Sequence, residues 1–178
     1  MKLASVAGIT PVTMRSPADT ERELAELIVK TRGGESAHDP GVALAAHDAA
    51  QLAHENAAGL VAVVDHPQSD PGVLVSMVVH ADLPFGADAA DEVRAFLEAS
   101  AGADIHEITE SRTERGYPVI IAERIVMSDP PSGCQLQAVV IAPAGGRLAV
   151  FTLHSLTGRG WLELAAVLGE LLSSVSFD

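Results

Sequence analysis

The sequence predicts an α+β domain: a mainly antiparallel sheet built from hairpins, with about four helices packed on its faces. Three observations predict it. Strand-length apolar runs come in pairs around turn-forming segments, and amphipathic helical stripes fall between the pairs. The order is also mixed, unlike the strict strand–helix alternation of a doubly wound parallel sheet. The 178 residues are read as one domain over 1–178, long enough for one well-buried core.

Leu3 to Met14 alternates loosely and predicts a first strand, which Gly8 and Pro11 confine to a sheet edge. Ser16-Pro17 then starts a helix, with a capping hydroxyl and proline at the first helical position. Thr20 and Glu23 offer an alternative capping box one turn later. Leu24, Leu27, Ile28 and Thr31 form its buried stripe, and Gly33-Gly34 ends it. Asp39-Pro40 starts a second helix in the same way. Its stripe is Val42, Ala45, Ala46, Ala49, Leu52 and Ala53, small residues that permit close approach, and its polar face is His47, Asp48, Gln51, His54 and Glu55.

Leu60 to Val64 and Val73 to His80 read as a hairpin around the turn-rich segment Asp65 to Gly72. A third helix runs from Asp88 to Ser100, with Val93, Phe96 and Leu97 inward and Gly102 closing it. Asp104 to Thr113 and Tyr117 to Val126 make a second hairpin around Arg115-Gly116, and a loop over 128–133 follows. Gln135 to Ala142 and Arg147 to Ser155 make the most legible hairpin. Pro143-Ala144-Gly145-Gly146 joins them, combining a preset φ with residues that tolerate φ > 0. Both runs are apolar on both faces toward their middles, which argues for central strands covered on both sides at least in part, or covered on one side and shielded by a partner on the other. Beyond Thr157 to Gly160 the period changes. Trp161, Leu164, Ala165, Leu168, Leu171, Leu172 and Val175 line one helical stripe, and the preceding hairpin is its nearest partner surface.

Eleven basic against 24 acidic residues give a net charge of −13, which disfavours nucleic acid and anionic membrane surfaces as partners. No run approaches the ~20 apolar residues that span a bilayer. Cys134 is the only cysteine, so no internal disulfide can form, and a reducing compartment fits. It opens a strand without a basic neighbour and reads as an inert small hydrophobe. Leu3 to Ile9 is at the short limit of a signal-peptide core and passes straight into domain-like patterning, so a cytoplasmic location is expected.

The chemical candidates are few. His47, Gln51 and His54 share a helix face, but i to i+7 spans about 10 Å along the axis. One zinc shell with bonds near ~2 Å cannot bridge that distance, so a solvated polar face is expected. His38, His66, His80, His106 and His154 are scattered. His80 and His154 stand at strand ends where they could meet across the sheet, with Asp82 or Ser155 completing a hypothetical acid–base cluster. No G-x-S-x-G elbow is present. Gly145-Gly146 and Gly158-Arg159-Gly160 fit no phosphate-loop pattern, although the second precedes a helix N-terminus where a small anion could sit. Asp91-Glu92 and Glu107/Glu110 read as solvated charge, and Trp161 as a core anchor. No catalytic, cofactor-binding or metal-ligating residue is assigned, and no cofactor is implied.

Ala142 to Leu153, followed by a Trp-containing helix that closes with Ser173-Ser174-Val175-Ser176-Phe177, resembles the C-terminal part of Mog1/PsbP-like domains, especially their actinobacterial members. The resemblance covers about the last quarter of the chain. It implies an antiparallel sheet with helices on its faces, used as a docking or accessory module without a shared catalytic motif. The first functional expectation is therefore a non-enzymatic interaction domain with an unknown protein partner. A homodimer through a sheet edge or the Ala-rich second helix is one form of it. The alternative is a small-molecule-binding protein or hydrolase with a pocket between sheet and helices near His80 and His154.

Overall fold

The computed structural model describes residues 1–82, 87–101, 105–125 and 133–177. The expected helix end at Gly102, the strand ends at Asp104 and Val126, and the loop over 128–132 lie outside them. The elements run β1 (Ile9–Pro11), α1 (Pro17–Arg32), a 3-10 helix (Gly34–His38), α2 (Pro40–Glu55), β2 (Leu60–Val64), β3 (Gly72–His80), α3 (Ala87–Ala101), β4 (Ile105–Arg112), β5 (Pro118–Ile125), β6 (Cys134–Ile141), β7 (Arg147–Ser155) and α4 (Trp161–Ser173). The strands form one seven-stranded sheet in the order β1-β2-β3-β7-β6-β5-β4. Every pairing is antiparallel. This is the expected α+β class, with β6 and β7 near the middle as their two-faced apolar pattern requires.

Local chemistry accounts for most boundaries. Ser16 caps α1, its Oγ accepting from the Asp19 amide at 3.1 Å. The alternative capping box at Thr20 and Glu23 is not used. Thr20 is buried and donates to the Thr13 and Ser16 carbonyls, while the Glu23 carboxylate accepts from the Thr13 amide at 2.8 Å. Asp39 caps α2 by accepting from the Gly41 amide at 2.9 Å and pairs with Arg32 at 2.6 Å. Both contacts, the amide first, hold its carboxyl below the usual range. The 3-10 turn between these helices has no periodic signature and was not expected. The first strand is three residues long, because Gly8 and Pro11 restrict the ladder as anticipated, and it lies at the edge. In the β6–β7 turn Gly145 and Gly146 take φ of 70° and 68°.

Alternation divides the sheet into two faces. One is covered by α4: Leu164, Leu168, Leu171 and Leu172 pack on Leu74, Leu136, Ala138, Val140, Phe151 and Leu153. The other is covered in two places. Toward β2 and β3, Leu24, Ile28, Val42, Ala46, Ala49 and Ala53 of α1 and α2 pack on Val61, Val63, Val73, Val75 and Met77. Toward β5 and β6, Ala89, Val93 and Leu97 of α3 pack on Ile120, Ala122, Val139 and Ile141.

Three helix positions depart from expectation. Phe96 is 69% exposed and Leu52 37% exposed, and Thr31 also faces solvent. On a helix, adjacent residues differ by about 100° in direction. Leu97 and Ala53 therefore take the inward positions, and Phe96 and Leu52 turn away. Val42, Ala46, Ala49 and Ala53 of the α2 stripe pack inside the fold.

Candidate groove on the sheet

Among the described residues, no helix covers the part of the sheet between the areas under α2 and α3, and polar side chains stand among apolar ones on its floor. The register aligns Arg124 of β5 with Gln135 of β6, and Gln135 with His154 of β7. The next row places Gln137 beside Thr152. Polar side chains thus stand at alternate positions of neighbouring strands whose other residues on that face, such as Val139 and Val150, are apolar. Above them is a cavity of about 500 Å³. Its floor is Val73, Val75, Arg124, Gln135, Thr152 and His154, and α2 supplies one wall through Leu44, Asp48 and Leu52. Ile125 and Leu156 complete its apolar rim.

Arg124 is held by a hydrogen bond from its guanidinium to Gln137 Oε1 at 3.1 Å. Its Nε is buried and has no acceptor among the described residues. Buried donors are nearly always paired in folded proteins, so this atom marks the floor as unusual. His154 is half-buried, and burial pushes its pKa down while the Asp48 carboxylate on α2 pulls it partly back. At neutral pH it is an uncharged imidazole, able to donate at one nitrogen and accept at the other. Charge in the groove is thus set by Arg124 at one end and Asp48 at the other.

The direction of the His154 shift has a testable consequence. Folding lowers its pKa, so below pH ~6.5 the unfolded chain binds more protons than the native state. The stability associated with neutral His154 is full above that pH and declines as pH falls toward the folded-state value. Urea midpoints at about pH 7.5 and 5.5 should differ more in the native protein than in His154→Gln. Equal pH dependence in the two proteins would refute the burial-driven shift.

The other sequence candidates sort differently. His80 does not join His154. It pairs with Arg147, whereas His154 pairs with Val73, seven residues away along β3 or roughly 23 Å. Ser155 points to the opposite face, where its Oγ accepts from the Gly158 amide at 3.0 Å, so the supposed acid–base cluster does not assemble. Cys134 lies on that opposite face too, and burial, reinforced by Glu123, raises its pKa and keeps the thiol protonated. His47 and His54 tie α2 to α1, contacting Glu21 and Thr20 at 3.0 Å each. No three His, Cys, Asp or Glu side chains converge as metal ligands among the described residues. The Gly158–Gly160 segment is a connector: Arg159 forms an ion pair with Asp70, and Thr157 donates to the same carboxylate at 2.8 Å. Trp161 is half-buried and donates to Glu123 at 3.3 Å. Glu110 pairs with Arg94 of α3 at 3.0 Å.

The Arg124–Gln135–His154 row was missed from sequence, although part of its signal was present. Gln135 and His154 stand equally far from the Pro143–Gly146 turn, so a tight turn puts them opposite each other. Arg124 could not be added without the β5–β6 register. No family model matches the chain, and no curated protein matches it in sequence. No helix among the described residues is long and apolar enough to cross a membrane.

Proposed function

We propose that the protein is a binding module that holds a small organic ligand in the groove between α2 and the sheet. One observation carries this reading: an in-register polar row, Arg124, Gln135 and His154, lies on the floor of a cavity of about 500 Å³ with an apolar rim. That volume lies in the ~300–1,000 Å³ range of small-molecule sites, which combine apolar walls with a few placed polar groups. The described lining residues favour binding over hydrolysis by a side-chain nucleophile. Thr152 carries the only hydroxyl among the described lining residues, and Ser155 and Cys134 face the other way. The acidic surface and single cysteine fit a soluble cytoplasmic setting.

A second reading, a non-enzymatic accessory domain that docks a protein, is favoured by the exposure of Leu44 (61%) and Phe96. The resemblance of the last quarter to Mog1/PsbP-like docking domains supports it as well. A ligand-observed NMR screen of a fragment library separates the two. Hits on the native protein should disappear in Thr152→Trp, whose indole would occupy the groove. Hits that persist in that variant, or a complete lack of hits, would reject the ligand-binding reading.

A further inference from the structure

The groove is asymmetric in charge, and the asymmetry points to a ligand class. Arg124 is the only cationic side chain among the described lining residues. Gln137 accepts from one terminal nitrogen of its guanidinium and fixes the plane of the group. A guanidinium fixed in this way matches the planar, two-oxygen geometry of a carboxylate better than a single-point acceptor. Gln135 stands beside it in the row and has an amide to donate. Away from Arg124 the lining turns apolar through Leu44, Leu52, Val73, Val75 and Leu156.

Asp48 argues against an anion placed at random in the groove, and so does the net charge of −13. Asp48 acts on His154, however, and His154 is two strands from Arg124. At ~4.8 Å per strand that is roughly 10 Å. The carboxylate of Asp48 therefore repels an anion from the His154 end and leaves the Arg124 end as the place for it. Resting on the groove being a ligand site, we infer that it selects an apolar monocarboxylate, with the carboxylate on Arg124 and Gln135 and the hydrocarbon body along the α2 wall.

The test uses the whole chain and three probes of equal length: octanoate, octan-1-ol and octylamine, titrated calorimetrically. Octanoate should bind about tenfold or more tighter than octanol, the ratio expected for a hydrogen bond to a charged group. Arg124→Gln should remove that difference, with octanoate falling to the affinity of octanol in the same variant. Arg124→Lys, which keeps the charge but loses the fork, should fall between them and serves as the readout if Arg124→Gln unfolds. Octanol equal to octanoate, or octylamine tighter than both, would overturn the carboxylate assignment while leaving the groove as a binding site. Failure of all three probes to bind would also overturn it. In that case the groove stands or falls separately on the fragment screen and Thr152→Trp.

Discussion

Replacing Phe151 with alanine is expected to lower the unfolding free energy by about 3–5 kcal/mol, the usual cost of emptying a buried aromatic site. Phe151 is 0% exposed and stands on β7, with β3 on one side and β6 on the other. Its cross-strand neighbours are Ser76 and Ala138, both small, and α4 closes the space above them through Leu164 and Leu168. The ring thus fills a volume that its neighbours in the sheet do not. With the ring removed, Ser76 and Ala138 have no side-chain length with which to collapse into the void. The cost should therefore lie toward the upper part of the range. Urea denaturation would show it as a lower midpoint at unchanged slope. A loss below about 1 kcal/mol would mean that α4 settles into the gap and that the sheet–helix interface is looser than described.

The second large effect is expected at Gly160. This residue caps α4 with φ 68°, in the left-handed region. An added Cβ would overlap Ser69 Cα and Cβ and stand 2.5 Å from the Gln68 carbonyl oxygen. These are backbone or backbone-proximal atoms, and their loop is clamped. The Asp70 amide donates to the Arg159 carbonyl at 3.1 Å, and the Asp70 carboxylate receives Arg159 and Thr157. Gly160→Ala must displace either the loop or the first turn of α4, the helix that packs on the central strands of one face of the sheet. Gly146 is the natural control: its φ is also 68°, yet nothing lies within 4 Å of its added Cβ. Gly146→Ala should cost only the ~1–2 kcal/mol of a left-handed non-glycine residue, and Gly160→Ala should cost clearly more. Equal losses would show that the loop yields freely and that its docking contributes little.

These two sites show why the fold could be read from the residues and the groove could not. The β6–β7 hairpin and α4 announce themselves by local rules: a Pro-Ala-Gly-Gly turn, and leucines recurring at three and four. Burial of that helix on that hairpin follows from adjacency. Elsewhere, hydrophobicity alone misleads by one residue. Leu52 and Phe96 are large and apolar, so a stripe reading draws them inward. The tight approach of α2 to the sheet and to α1 instead selects alanines, and it turns Leu52 toward the groove that it helps to wall. The mistaken union of His80 with His154 has a similar origin. Both stand at strand ends, but in an antiparallel pair the ends alternate, and β3 carries His80 to the end where β7 begins.

The polar floor depends on long-range register. Gln135 and Gln137, with Thr152 and His154, form a legible period-two pattern within one hairpin. It acquires meaning only when β5 brings Arg124 into line and when α2 and α3 leave that part of the face open. No single segment encodes the opening.

The most direct measurement follows the methyl groups of the isotope-labelled protein by NMR as the best fragment from the screen is added. Leu44, Leu52, Val73, Val75, Ile125 and Leu156 line the groove, whereas Leu164, Leu168 and Leu171 lie beneath the opposite face. Ligand binding in the groove predicts saturable shifts concentrated in the first group and nearly unchanged signals in the second. Shifts centred on the α4 side, or spread evenly over both sets, would contradict it.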